Sequence, residues 1–193
     1  MRAAHISLFL SLAAGALAQT PVFTNLASVR VHPYWGLVQG LNGQLYSTTA
    51  GTRRVAGQIF EITTGGTLTY LHKLWGTAQT GLLLASDGNF YGNTLKGQGG
   101  GKIFRVTHSG KMTIVHAFCS LPGCADGFAP EGPLIQGADG YLYGTTAAGG
   151  PGCTAQYNAC GTIFRMALAG GLTGPRIAVA HPDRGAPQSC HDV

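Results

Sequence analysis

Leu134-Ile135-Gln136-Gly137-Ala138-Asp139-Gly140-Tyr141-Leu142-Tyr143-Gly144-Thr145-Thr146 is the stretch on which the fold turns. An apolar run leads into Asp-Gly, and a second run follows with aromatic, aliphatic and small residues. Asp-Gly between apolar runs signals a β-hairpin, since both central residues of a type I′ turn need positive φ. The phrase occurs twice more. Gly36-Leu37-Val38-Gln39 precedes Asn42-Gly43-Gln44-Leu45-Tyr46-Ser47-Thr48-Thr49, and Gly81-Leu82-Leu83-Leu84 precedes Asp87-Gly88-Asn89-Phe90-Tyr91-Gly92-Asn93-Thr94.

Each copy then runs through a glycine-rich loop to a second shared phrase: Gln58-Ile59-Phe60-Glu61-Ile62, Lys102-Ile103-Phe104-Arg105-Val106 and Thr162-Ile163-Phe164-Arg165-Met166. A turn ending in Gly66, Gly110 or Gly170 follows. The last strands of the first two copies read Leu68-Thr69-Tyr70-Leu71-His72 and Met112-Thr113-Ile114-Val115-His116. Every copy is thus four short strands joined by tight turns. One such unit cannot bury both its faces, whereas radial stacking against neighbours does so. The expected fold is all-β: tandem four-stranded antiparallel blades, β-propeller-like, in three copies at about 33–80, 81–131 and 132–173. Closed propellers use about four to eight blades, so three copies read as an open or incomplete ring with exposed edges able to self-associate.

Alternation along the second strand places Leu45, Phe90 and Leu142 on one face and Tyr46, Tyr91 and Tyr143 on the other. Gly92 and Gly144 sit mid-strand, which marks a close approach by neighbouring chain. Val22-Phe23-Thr24-Asn25-Leu26 resembles a last strand, placed ahead of the first copy. It serves either to complete a blade or as an extension packed on that copy.

The repeat domain spans residues 19–173, after an N-terminal leader. Arg2 supplies a positive charge, an apolar stretch runs from Ile6 to Leu17, and Ala16-Leu17-Ala18 offers small residues for cleavage. Residues 1–18 therefore read as a signal peptide, too short for a comfortable permanent span, and the mature chain is expected outside the cytoplasm with no membrane span. The 31 glycines belong to turns between β-branched and aromatic runs. Net charge is +5 and thinly spread, with Arg53-Arg54 the one adjacent basic pair. The basic stripe of a nucleic-acid binder is missing.

Cysteines in an exported chain point to disulfides. Cys119 with Cys124 and Cys153 with Cys160 are the simplest pairs, each closing a short loop and stabilising by about 2–3 kcal/mol. Cys190 is left over. A four-thiolate zinc site is the competing reading, but neither spacing supplies matched knuckles.

The phrase Leu134 to Thr146, together with Cys160-Gly161-Thr162-Ile163-Phe164-Arg165, resembles the repeat of the bacterial choice-of-anchor tandem repeat GloVer-containing proteins. Phe118-Cys119 and Cys124-Ala125-Asp126-Gly127 resemble that family's inter-repeat segment. The resemblance covers approximately residues 22–173 and implies an exported repeat protein without established catalytic residues. After Thr173 the pattern stops. Residues 174–193 carry Pro175, Pro182 and Pro187 and read as an irregular tail, as in a truncated or frame-shifted product.

No catalytic constellation or cofactor site is expected. Asp87 and Asp139 are turn residues at one repeat position, where the first copy has Asn42. His72 and His116 share the end of the last strand and are expected to face solvent. No Gly-x-Ser-x-Gly elbow, phosphate loop or calcium loop occurs. Tyr34, Trp35 and Trp75 lie between strands or copies and are the candidate ligand contacts. The expected function is non-catalytic binding of an extracellular glycan or protein. The alternatives are a remnant of a propeller lyase or glycosidase, or a fragment without independent function.

Overall fold

The computed structural model describes residues 23–51, 55–74, 77–78, 80–95, 99–151, 160–168, 170 and 177–180. They form three four-stranded antiparallel sheets and no α-helix. The first sheet orders β1 (Val38–Gln39), β2 (Leu45–Thr48), β3 (Gln58–Ile62) and β4 (Leu68–Lys73) from edge to edge. The second repeats this with β5 (Leu83–Leu84), β6 (Phe90–Thr94), β7 (Lys102–Val106) and β8 (Met112–Ala117). The third comprises β9 (Phe128–Gln136), β10 (Leu142–Ala148), β11 (Cys160–Met166) and β12 (Ile177–Ala180). The tandem-blade architecture read from the repeat is thus present in all three copies.

The sheets stack because each presents two apolar faces of different composition. The tyrosine-bearing face of the first sheet (Tyr46, Ile59) packs on the phenylalanine-bearing face of the second (Phe90, Phe104, Val106). The Tyr46 and Phe90 rings lie 4.4 Å apart. The next interface repeats the pattern, with Tyr91 and Ile103 against Leu142, Phe164 and Met166. The two alternating faces of the second strand therefore meet different neighbours. In the middle blade both Phe90 and Tyr91 are buried.

Mid-strand glycine is explained by what it faces. A methyl group on Gly92 would lie 2.6 Å from Phe104 Cζ, and one on Gly144 would lie 2.5 Å from Phe164 Cζ. The close approach is made by an aromatic ring of the adjacent strand, packed flat over the position a side chain would fill.

The turn chemistry differs from the expectation in one respect. Positive φ falls on Gly43 (78°), Gly88 (76°) and Gly140 (81°), and not on Asn42, Asp87 or Asp139. Gly43 N donates to Gly40 O, and Gly40 N to Gln44 O. The hairpin is therefore a three-residue loop, a turn closed by a left-handed glycine in a bulge, rather than a type I′ turn. The Asp or Asn side chain closes it from outside: Asp87 Oδ1 accepts from Asn89 N at 3.1 Å, and Asp139 Oδ1 from Tyr141 N at 3.2 Å.

Two boundaries move. The third sheet runs past both ends of the copy read at 132–173, since β9 begins at Phe128 and β12 ends at Ala180. β12 lies inside 174–193, the stretch expected to be an irregular tail, and pairs Ile177 with Ile163 and Ala180 with Cys160. Ile177 and Val179 do alternate. The two alanines between and after them hide the contrast on which a strand reading depends. Residues 174–176 and 181–193 lie outside the described residues, as does the leader 1–18.

Ahead of the first sheet, Leu26 takes the place of a last strand. A methyl group on Gly66 would meet Leu26 O at 2.5 Å, as one on Gly170 would meet Val115 O at 2.7 Å and one on Gly110 the Leu71 Cβ at 3.1 Å. Leu71 and Val115 belong to β4 and β8. Leu26 itself lies outside the named strands, so the segment occupies the position of a fourth strand without being one.

Candidate functional site

The first strand of each sheet is the innermost: β1 lies against β5, and β5 against β9. The short segments feeding these strands converge. Trp35-Gly36-Leu37, Thr80 to Leu83 and Glu131 to Leu134 together line one cavity of about 550 Å³. Trp35, Thr80 and Glu131 occupy the same repeat position, immediately before the glycine that opens each copy. One structural position thus brings Trp35, Thr80 and Glu131 to a shared axial pocket.

Buried polar bonds hold these segments. Ser47 Oγ donates to Gly36 O at 3.0 Å, and Thr48 Oγ1 to Thr80 O at 3.1 Å. Thr80 Oγ1 donates to Asn93 Oδ1 at 3.1 Å, and Asn93 Nδ2 to Gly132 O at 3.0 Å. This chain crosses both blade interfaces at fully or nearly buried residues, where each unmade bond would cost about 1–3 kcal/mol. These bonds tie the rim segments of all three blades together. On one lining residue a polar atom has no partner: Trp35 Nε1 is buried without a hydrogen bond.

Of the candidate contacts read from sequence, Trp35 lines this pocket. Tyr34 does not; its ring is 68% exposed and stacks on His32 with centroids 5.4 Å apart. Trp75 lies outside the described residues. Thr80, Asn93 and Glu131 had no place among the sequence candidates. The signal for Thr80 and Glu131 is positional, the residue before each copy's opening glycine, where three unlike side chains give no shared motif; Asn93 lies within β6.

Cys119 and Cys124 are joined by a disulfide, across a 3-10 turn at Pro122–Cys124. Cys160 is disulfide-bonded, while Cys153 and Cys190 lie outside the described residues. Inside the first loop, Asp126 is 1% exposed. Its Oδ2 accepts from Ser120 Oγ at 2.7 Å and Ser120 N at 3.1 Å, and its Oδ1 from Leu121 N at 3.2 Å. Burial opposes ionisation of Asp126, but these bonds outweigh it and hold the carboxyl below its ordinary range. His116 Nε2 stands 3.4 Å from Oδ2. That overturns the expectation that His116 faces solvent: the loop folds over it, and its ring meets Phe118 edge-on at 4.7 Å.

The turn carboxylates also do more than shape hairpins. Tyr91 Oη lies 2.9 Å from Asp87 Oδ2 and 2.8 Å from Leu168 O, tying the second blade's turn to the third blade. Burial and the Asp87 carboxylate raise the Tyr91 hydroxyl's pKa. Tyr143 donates to Asp139 Oδ2 at 2.6 Å in the same way. Among the described residues no group of three or more His, Cys, Asp or Glu is placed to hold a metal ion, and no helix is long and apolar enough to cross a membrane.

A family model, the Gloeobacter/Verrucomicrobia repeat, matches residues 11–189. No curated protein matches. A solved structure described as a "putative gluconolactonase" is similar over 71% of this chain, with 14% identity and a TM-score of 0.48. The match takes in 46% of that protein, so this chain corresponds to about half its length.

Proposed function

The chain belongs to the Gloeobacter/Verrucomicrobia repeat family, and from that premise we propose that it is an exported, non-catalytic binding module whose axial pocket takes a neutral, hydroxyl-rich ligand such as a sugar residue. Trp35 Nε1 carries this reading. It is a buried donor without a hydrogen-bond partner on a residue that lines the pocket, and a ligand oxygen that reached it would recover the cost of its desolvation.

The rest of the pocket suits such a ligand. An indole offers both a stacking face and a donor, and Glu131 is an exposed acceptor for hydroxyl protons. Thr80 is committed to Asn93, which fixes the wall. Glycoside hydrolysis ordinarily needs two carboxyl groups flanking the bond. The described lining offers one, Glu131, and this supports retention over turnover. Export is supported by the leader-like residues 1–18 and by the Cys119–Cys124 disulfide.

A glycan array, followed by calorimetry on the best ligand, tests the reading. Saturable binding without product is expected, weakened about tenfold or more by Glu131→Gln or Trp35→Phe. Product formation by the wild-type chain, or binding unchanged in both variants, would overturn it.

A further inference from the structure

The two blade interfaces invite a comparison that the molecule itself supplies. Toward the outer strands, the second interface is closed. Thr146 and Thr162, paired across β10 and β11, share a hydrogen bond of 2.8 Å. Gly127 sits against them, with room for no side chain: a methyl group there would lie 2.7 Å from Thr146 Cγ2. Asp126, next in the same loop, brings its carboxylate to His116. The loop filling this space is an insertion. Gly132 follows Phe118 by fourteen residues, whereas Gly81 follows Leu74 by seven.

At the first interface the corresponding place is a cavity of about 310 Å³, lined by His72, Leu74, Thr94, Lys102, Phe104, Met112 and Ile114. His72 is the counterpart of His116. Thr94 and Lys102, paired across β6 and β7, are the counterparts of Thr146 and Thr162. The lysine cannot close the pair as a threonine does. Thr94 is 3% exposed and its Oγ1 has no hydrogen-bond partner. Among the described residues no carboxylate stands within ion-pair distance of Lys102. Thr94, His72 and Lys102 therefore border a space whose other described walls are apolar.

We infer that this cavity is a second binding site, for a small organic carboxylate with an aliphatic or aromatic tail. The ligand's carboxylate takes the role that Asp126 plays at the next interface, accepting from Thr94 Oγ1 and Lys102 Nζ beside His72. Its tail lies on Leu74, Phe104, Met112 and Ile114. Among the described residues the site shares no lining residue with the axial pocket.

Methionine NMR reads this site directly. The chain has three methionines, of which Met112 lines the cavity and Met166 lies in the core of the other interface. With methyl-labelled protein, titration of hexanoate should shift the Met112 signal saturably and leave Met166 in place. Hexanol, with the same tail and no charge, should bind about tenfold or more weakly. Lys102→Gln should weaken hexanoate by a similar factor, and Thr94→Val by several fold. A Met112 signal that hexanoate does not move would overturn the inference. So would equal binding of hexanol, or hexanoate binding that Lys102→Gln leaves unchanged.

Discussion

Gly92 and Asp126 are residues whose chemistry is dictated by the groups packed directly against them. Phe104 is fully buried at the first interface, so its ring has little freedom to yield to a methyl group on Gly92. Gly92→Ala should cost about 1–3 kcal/mol by overpacking, read as a lower urea midpoint with unchanged slope. In the first blade Ser47 stands at this position and spends its hydroxyl on Gly36 O. Asp126 makes a pH prediction. Its folded pKa lies below the ordinary value of 3.8, so its stabilisation is present above that value. As pH falls through the folded pKa the stabilisation disappears. Asp87 acts in the same direction: burial raises its pKa, and the bonds from Asn89 and Tyr91 outweigh that. Denaturation midpoints between about pH 6 and about pH 2 should therefore fall steeply below about pH 4. Asp126→Asn should lose about 1–3 kcal/mol at neutral pH and flatten that fall. A variant whose profile overlays the wild type would refute the assignment.

At the scale of the element, the disulfide loop and the hairpins show what a sequence displays and what it conceals. The loop is a seven-residue insertion closed by Cys119–Cys124, and it alone carries the buried Asp126 to His116. Cys124→Ala should cost about 2–3 kcal/mol and should also uncover His116, detectable as moved His116 ring signals by NMR. Unmoved His116 ring signals in the folded variant would show that the bridge does not position the loop. The hairpins were legible from Asp-Gly and Asn-Gly because only glycine accepts φ near 80° without penalty. The kind of turn was not. A type I′ turn and a bulged three-residue loop both place glycine after Asp or Asn, and they differ by one residue in the register of flanking strands. β12 was missed for a related reason, since alanine at alternate positions carries little contrast with Ile177 and Val179. The axial pocket was half legible. Trp35 stands out as an aromatic beside a turn, but Thr80 and Glu131 gain meaning only when three inner strands bring one repeat position together.

At the scale of the whole molecule, the interface repeated between the sheets has an unrepeated end among the described residues. Ile59 and Ile103, on the tyrosine-bearing faces of the first two sheets, are 1% and 0% exposed. Their counterpart Ile163 is 44% exposed, and Ile135 beside Tyr143 is 60% exposed. Among the described residues no sheet covers this third face, although it has the composition that packs against a neighbour twice in the same chain. A face built to be buried and left open gains about 1.5–3 kcal/mol for each large aliphatic side chain it hides. We expect a second copy to cover it, because open sheet ends promote pairing between chains. Sedimentation velocity over a wide concentration range should show reversible association. The double variant Ile135→Lys, Ile163→Lys should remain monomeric and retain its β-sheet circular dichroism, since both side chains already reach solvent. A wild-type chain that sediments as a monomer at every concentration would overturn this expectation. A double variant that still associates would place the contact on another surface.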